Sequence, residues 1–488
     1  MAESAVGART GVELVRGLGL LAATAILIGD VVGTGVFLKA RVMTCNVGSP
    51  AIVLAVWVVG GLLSLAGALT YAELAAMMPR AGGEYVFIRE GYGRLSGFLY
   101  GWTRFFVAST GSTAALAAGF AIFLNIISHG AFDAAWLKVP IGGGAFVIGG
   151  LQAVAVVAIV CVTIVNCAAV AVSGRIAMAL TGMKIALICA VGVAAVALAN
   201  GDWGHYAISA MSGGCDDVAP AARGGVAGFG AAMLGAMWAY NGWNEITYVA
   251  EEVKDPQRNL PRAIIGGIGV IAVLYIGVNA TYFYVLSPAQ ITAMPASASV
   301  ASEVVLRSLG AGASGVMAGA MAASIFGSLL LASLVGARIP FAMSRDGVFV
   351  GALAHLSPRT RVPVRALVAQ AVWASVLVLS GSYDVITDYA IFAVLIFVAL
   401  STASVFVFRR RLPDLPRSYR TWGYPVVPVL FLLVAIWILI NTLMTTPGRA
   451  VAGLGLMAAG LPFYWYWTRP QNVRTKETNV NQGNPGNL

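Results

Sequence analysis

The sequence predicts an all-α polytopic membrane protein with twelve transmembrane helices: a 5+5 inverted repeat with broken first and sixth helices, plus two extra C-terminal helices. Three observations carry this. The 488 residues are 59% hydrophobic and only 10% charged, whereas about a quarter of a soluble chain is charged. Charged residues are missing from 145–174, 263–302, 308–337, 389–408, 425–448 and 450–468, and each block nears or exceeds the roughly 20 apolar residues that span a bilayer. Glycine and polar residues also interrupt two of the apolar runs in their middles. A membrane β-barrel would alternate polarity in segments of about ten residues, but these runs are continuous and rich in Ala, Val, Leu and Gly.

Hydropathy places the spans at 18–41, 50–78, 95–128, 145–170, 176–199, 226–252, 262–286, 304–338, 364–381, 385–408, 425–445 and 450–467. The chain then divides into a cytoplasmic N-terminal segment (1–17), a first repeat (18–199), a second repeat (226–408), two further spans (425–467) and a tail (468–488). The tail is rich in Asn, Thr, Gln and Gly and is expected to be disordered and cytoplasmic. The first apolar run is too long and too glycine-broken for a cleaved signal peptide, so the mature chain is expected to start near Met1.

In such a chain the net charge of +10 is an orientation signal, and no nucleic-acid partner is expected. With the N-terminus inside, the inner segments collect most of the Arg and Lys residues, from Arg9 and Arg16 through Arg409, Arg410 and Arg411 to Lys476. The outer loops collect only Lys39, Arg41, Lys138, Arg223 and Arg449. Both termini are therefore expected in the cytoplasm, with membrane lipid around the spans.

Five cysteines and three histidines are too scattered for a metal site, and no cofactor is expected. Cys161, Cys167 and Cys189 fall in spans as small hydrophobes. Cys45 and Cys215 fall in outer loops, where a disulfide or two free thiols both fit. His129, His205 and His355 fall in loops, which leaves no nucleophile–base pair for an intramembrane enzyme.

The two interruptions are Gly29-Asp30-Val31-Val32-Gly33-Thr34-Gly35-Val36-Phe37 and Trp238-Ala239-Tyr240-Asn241-Gly242-Trp243-Asn244-Glu245. Glycine clusters often mark close helix packing. Polar residues added at bilayer depth expose backbone groups that hydrocarbon tolerates only where they line a cavity or bind something. The breaks fall in the first members of two consecutive five-span sets, and five is odd, so the second set enters from the opposite side. That is the pattern of a secondary transporter.

Four stretches then resemble the amino acid–polyamine–organocation superfamily, in its L-type amino-acid transporter branch. They are Gly33-Thr34-Gly35-Val36-Phe37; Tyr71-Ala72-Glu73-Leu74 with Pro79-Arg80-Ala81-Gly82-Gly83-Glu84-Tyr85; Trp238 to Asn244 continuing through Glu251-Glu252-Val253-Lys254-Asp255-Pro256 to Ile264; and Ser324-Ile325-Phe326-Gly327-Ser328 with Ser344-Arg345-Asp346-Gly347. The resemblance covers about 18–410.

A zwitterionic amino acid needs donors for its carboxylate and acceptors for its ammonium. The N–H groups of Thr34, Gly35 and Val36 open the second half of span one, where the helix dipole is positive. By resemblance, the ammonium meets the carbonyls of Val31 and Trp238, and the Trp238 ring is an aromatic gate. Asn241, Gly242 and Asn244 are expected to set side-chain selectivity. Both asparagines are neutral where cation-handling relatives have an acid, so neutral amino acids are favoured. Lys184 is the only charge in the fifth span, where an ammonium at membrane depth points to function unless it snorkels to the interface. The resemblance puts Lys184 in place of the sodium of coupled relatives, with Ser324 and Ser328 nearby.

Asp30 departs from the family pattern. Unpaired, it would favour cations or protons; paired with Lys184, it would be neutralised. Arg104 and Glu73 read as structural, and Glu245, Glu251 and Glu252 as either an inner salt-bridge face or transport residues. The outer loop 129–144 has no cysteine, whereas light subunits of this branch use one to bond a heavy chain; no such partner is expected. The implied function is amino-acid exchange by alternating access in a bacterial inner membrane. Proton-coupled symport is the alternative, and a membrane amino-acid sensor is the reading from another class.

Overall fold

The computed structural model describes residues 14–33, 35–141, 144–168, 170–209, 214–295, 298–380 and 383–468. Residues 1–13, Thr34 and the tail from 469 lie outside this set. In chain order the membrane helices are α1 (Leu20–Val31), α2 (Gly35–Val47), α3 (Pro50–Met77), α4 (Arg94–Ile127), α5 (Gly150–Ala168), α6 (Val170–Leu198) and α7 (Gly225–Tyr240). They continue with α8 (Pro256–Val285), α9 (Ala311–Gly336), α10 (Val364–Ser380), α11 (Tyr383–Arg411), α12 (Val426–Thr445), α13 (Pro447–Ala458) and α14 (Gly460–Thr468). Among the described residues eight helices are long and apolar enough to cross a membrane, or nine when the bent pair α1 and α2 counts as one span.

Local chemistry sets several boundaries. Pro50, Pro256 and Pro447 stand at the first helical position of α3, α8 and α13, where a missing N–H costs nothing. Gly310, at φ +79, separates the short helix Val300–Leu309 from α9, so the run expected as one span from 304 is divided there.

Inside the bundle, α3 packs along α8 and α4 along α9, while α1 lies against α6, α8 and α9, and α2 against α7. The outer surface is apolar: Val157 and Ile164 on α5, Val193 on α6, Val372 on α10, and Leu433 and Met444 on α12 are all exposed. Water would not tolerate so much contiguous apolar surface, whereas lipid requires it. The chain is an integral membrane protein.

Three expectations need correction. The stretch expected as an outer loop followed by a span from 145 contains an antiparallel hairpin, β1 (Ala135–Ile141) with β2 (Gly144–Gly149), and the helix begins at Gly150. A charge-free run as short as Ala145-Phe146-Val147-Ile148 fits a strand as well as a helix end. The first span does not stop at 41, because α2 runs to Val47 and carries Lys39 and Arg41 as buried helix residues. Asp217 and the carbonyls of Gly214 and Met294 offset the cost of that burial for Arg41, and hydropathy cannot see them. The sixth and twelfth expected spans are short or divided: α7 stops at Tyr240, and α13 and α14 are separate helices.

Candidate substrate site

The first break begins where α1 runs out of bonding partners. Val32 turns away at φ −74, ψ 80, and the Gly33 amide bonds back to the Val31 carbonyl at 2.8 Å. Helix resumes at Gly35, and its first-turn amides, including that of Val36, have no partner inside the helix. Thr34, expected to supply a third amide, lies outside the described residues.

The second break follows α7. Asn241 is extended, and its amide bonds to the Trp238 carbonyl at 3.1 Å. Gly242 takes φ +113, which only glycine adopts at little cost. A short 3-10 stretch, Glu245–Glu252, carries the chain onward.

The two breaks touch. A β-carbon on Gly35 would stand 2.6 Å from the Cα of Ala239, and one on Gly242 would stand 2.9 Å from an Asp30 carboxylate oxygen. Glycine at both positions is thus a condition of the contact. The Tyr275 hydroxyl on α8 lies 3.0 Å from the Val31 carbonyl and 3.1 Å from that of Ala239. One hydroxyl proton is shared between two carbonyls, which leaves acceptor capacity at the C-terminal ends of both α1 and α7.

Lys184 is fully buried on α6. Its ammonium donates to the carbonyls of Gly29 at 2.6 Å and Val32 at 3.0 Å, and to Ser328 Oγ at 2.5 Å. All three protons are used, and there is no snorkelling to the interface. Ser328 on α9 reaches the same two carbonyls at 3.0 and 2.9 Å. Ser324 is buried one turn away, and its hydroxyl has no partner among the described residues. No ion pair joins Asp30 to Lys184 among the described residues, and the Asp30 carboxylate faces Gly242 and Val31 without a hydrogen-bond partner there.

Asn244 is turned away from any open space: it is buried, and its amide donates to Glu84 Oε2 at 2.7 Å. Glu84 also accepts from the hydroxyls of Tyr248 at 2.5 Å, Tyr100 at 2.7 Å and Tyr71. Beside this cluster Arg104 pairs with Glu245, and both are buried. Sequence reasoning did not single out Glu84 or Tyr275. Arg104, a lone charge inside an apolar span, gave the same kind of signal as Lys184.

A cavity of about 1130 Å³ opens on the side where α2 ends, with Lys39, Asn46, Phe123, Trp238, Met294 and Phe392 in its wall. Its rim is stapled. Cys45 is disulfide-bonded to Cys215, which resolves the sequence alternatives. Arg41 donates to both carboxylate oxygens of Asp217 at 2.9 Å, and the Asn46 amide bonds to the Ala222 carbonyl at 2.7 Å. The Arg41 guanidinium holds the Asp217 carboxyl below the usual carboxylate range. The opposite end is shut by ion pairs: Glu252 with Arg338 at 2.8 and 3.1 Å, both fully buried, and Glu73 with Arg409 at 2.8 Å.

Over residues 18–464 the chain that folds into this bundle matches the family model described as amino acid permease. The chain belongs to the amino acid permease family. Among its relatives is the human large neutral amino acids transporter small subunit 2, 29% identical, covering 94% of this chain and 82% of the relative. The permease is also 28% identical to the serine/threonine exchanger of Bacillus subtilis, over 93% of this chain and 97% of that one. With the mouse b(0,+)-type amino acid transporter 1 it shares 26% identity, covering 93% and 88%. These relatives put the permease in the L-type branch of the amino acid–polyamine–organocation superfamily.

Proposed function

We propose that this permease transports L-amino acids, preferentially neutral ones, by alternating access and in exchange for one another. The observation that carries the reading is the contact between the two helix breaks, Gly35 against Ala239 and Gly242 against Asp30. It brings the positive N-terminal end of α2 and the negative C-terminal ends of α1 and α7 to one place, as a zwitterion requires. In this reading the amides of Thr34, Gly35 and Val36 hold the carboxylate, and the carbonyls of Val31 and Trp238 hold the ammonium. The Trp238 ring closes the cavity over the bound substrate, Asn241 and Gly242 shape the side-chain pocket, and Asn244 acts through its neighbours.

Lys184 with Ser328, and Ser324 beside them, does the work of a bound sodium ion by tying α6 and α9 to the break in span one. The chain is read as twelve spans, with repeats at 18–199 and 226–408 and an appended pair at 425–467. It is read as a bacterial inner-membrane protein with both termini cytoplasmic. The disulfide supports this orientation, since such bonds persist in the periplasm and rarely in the cytosol; the cavity then faces outward. The relatives named as an exchanger and as neutral amino-acid transporters support exchange and neutral substrates. The loop 129–144 contains no cysteine, so the permease is read as working without a disulfide-linked heavy chain.

Proton-coupled symport is the second reading, favoured by one observation: the Asp30 carboxylate lies at the breaks without a hydrogen-bonded or ion-paired partner among the described residues. Binding of a labelled amino-acid panel to the purified protein tests the site. A neutral amino acid should bind, with affinity at least about tenfold lower in Trp238→Ala once the aromatic contact is lost. Equal affinity in that variant would remove Trp238 from the site, and no binding by any amino acid would overturn the reading.

A further inference from the structure

We infer that Glu84 is a positioning residue that latches the sealed end of the permease, holding the stretch after the second break against the rigid helices α3 and α4. The inference rests on the alternating-access reading.

Glu84 opens the helix Glu84–Tyr92 and is 1% exposed. No Lys or Arg lies within ion-pair distance of it among the described residues. Its carboxylate is instead filled by neutral donors from two groups of elements. Tyr71 on α3 and Tyr100 on α4 donate from one side, while Asn244 and Tyr248, which follow the break in span six, donate from the other. A carboxylate has about four acceptor positions, and four donors meet this one: Tyr71 at Oε1, and Tyr100, Tyr248 and Asn244 at Oε2. Hydrogen bonds to an ionised acceptor are roughly twice as strong as neutral ones, and burial strengthens them further.

The neighbouring backbone completes the dock. The Gly82 amide donates to the Tyr248 carbonyl at 3.1 Å. Gly83, at φ +41, packs so closely on Thr247 that no β-carbon fits. Opening this end requires 244–248 to leave the 82–84 turn. That step strips Asn244 and Tyr248 from Glu84 and leaves a buried charge short of donors, which is costly. Glu84 therefore favours the sealed state and fixes where Asn241 and Gly242 sit at the substrate site.

The test uses purified full-length protein in detergent, with Cys161, Cys167 and Cys189 replaced by alanine and Cys45–Cys215 kept. A buried reporter, Thr247→Cys, is labelled with a maleimide; a second protein carries Ala222→Cys on the cavity side as control. Glu84→Gln removes the charge and should speed labelling at position 247 about tenfold, leaving position 222 unchanged. Tyr100→Phe, which keeps the ring and loses one donor, should give a smaller rise in the same direction. Equal labelling at 247 in both variants and the parent overturns the latch, as does a parallel rise at 247 and 222, the mark of general destabilisation. If Glu84→Gln fails to fold, Tyr100→Phe and Tyr71→Phe decide by the same readout. The assay needs no transport, so a protein that moves no amino acid in vesicles yet shows the selective rise would sink the transport reading alone.

Discussion

Lys184 Nζ lies 2.5 Å from Ser328 Oγ, and both groups bond the same two carbonyls, those of Gly29 and Val32. An ammonium from α6 and a hydroxyl from α9 thus clasp the end of α1 just before it breaks. A hydrogen bond to a charged group contributes about 1.5–3 kcal/mol. Lys184→Ala should therefore lower uptake tenfold or more while the protein still inserts. Uptake into vesicles, normalised to folded protein by gel filtration, measures this. Unchanged uptake would return Lys184 to a packing role.

Gly242 offers a sharper test of the contact between the breaks. In Gly242→Ala the new β-carbon meets both an unfavourable φ of +113 and the Asp30 carboxylate at 2.9 Å. Backbone strain of this kind costs about 1–3 kcal/mol, so substrate affinity should fall about tenfold or more. Equilibrium binding to the purified variant reads the loss, and wild-type affinity would mean that the breaks do not form the site.

The loop that carries the disulfide tests orientation. In intact spheroplasts a membrane-impermeant maleimide should label a cysteine placed at the exposed Trp203 (Trp203→Cys), in the same inter-span loop as the buried Cys215. Labelling only in inverted vesicles would reverse the assigned topology. Removing the Cys45–Cys215 pair with serines should lower stability by about 2–4 kcal/mol, read as a fall in thermal midpoint.

Asp217 gives the pH dependence of the stapled rim. Its carboxyl is held below the usual range by the Arg41 guanidinium. The stabilisation is complete above the unfolded value of about 4 and is lost as pH falls through the lower folded value. Thermal midpoints of wild type and Asp217→Asn should thus differ modestly at pH 7, because Asp217 is 41% exposed, and converge in strong acid. A gap that widens on acidification contradicts the assignment.

Both breaks and Lys184 were legible in the sequence because each violates the rule of its surroundings: glycine, asparagine or a charge where hydrocarbon demands apolar helix. The same rule hid other features. Arg41 read as a loop residue because its neutralisation depends on Asp217, far along the chain. Glu84 lies in a polar stretch between spans and belongs to a motif that carries the resemblance, but nothing in the stretch assigns it a role; its tyrosine and asparagine partners converge only in the fold. The hairpin at 135–149 was lost because short apolar runs carry no period that separates strand from helix. Hydropathy, finally, gave no sign that Asn244 turns toward Glu84, since side-chain direction after a break follows from backbone angles that composition does not encode.

Exchange through the apposed breaks is tested most directly by uptake of labelled neutral amino acids into proteoliposomes, empty or preloaded with unlabelled amino acid, with and without an imposed pH gradient. Uptake that requires preloading and ignores the gradient is the predicted result, and it should persist in Asp30→Asn. Gradient-driven uptake into empty vesicles, abolished by Asp30→Asn, would contradict exchange and establish proton symport in its place.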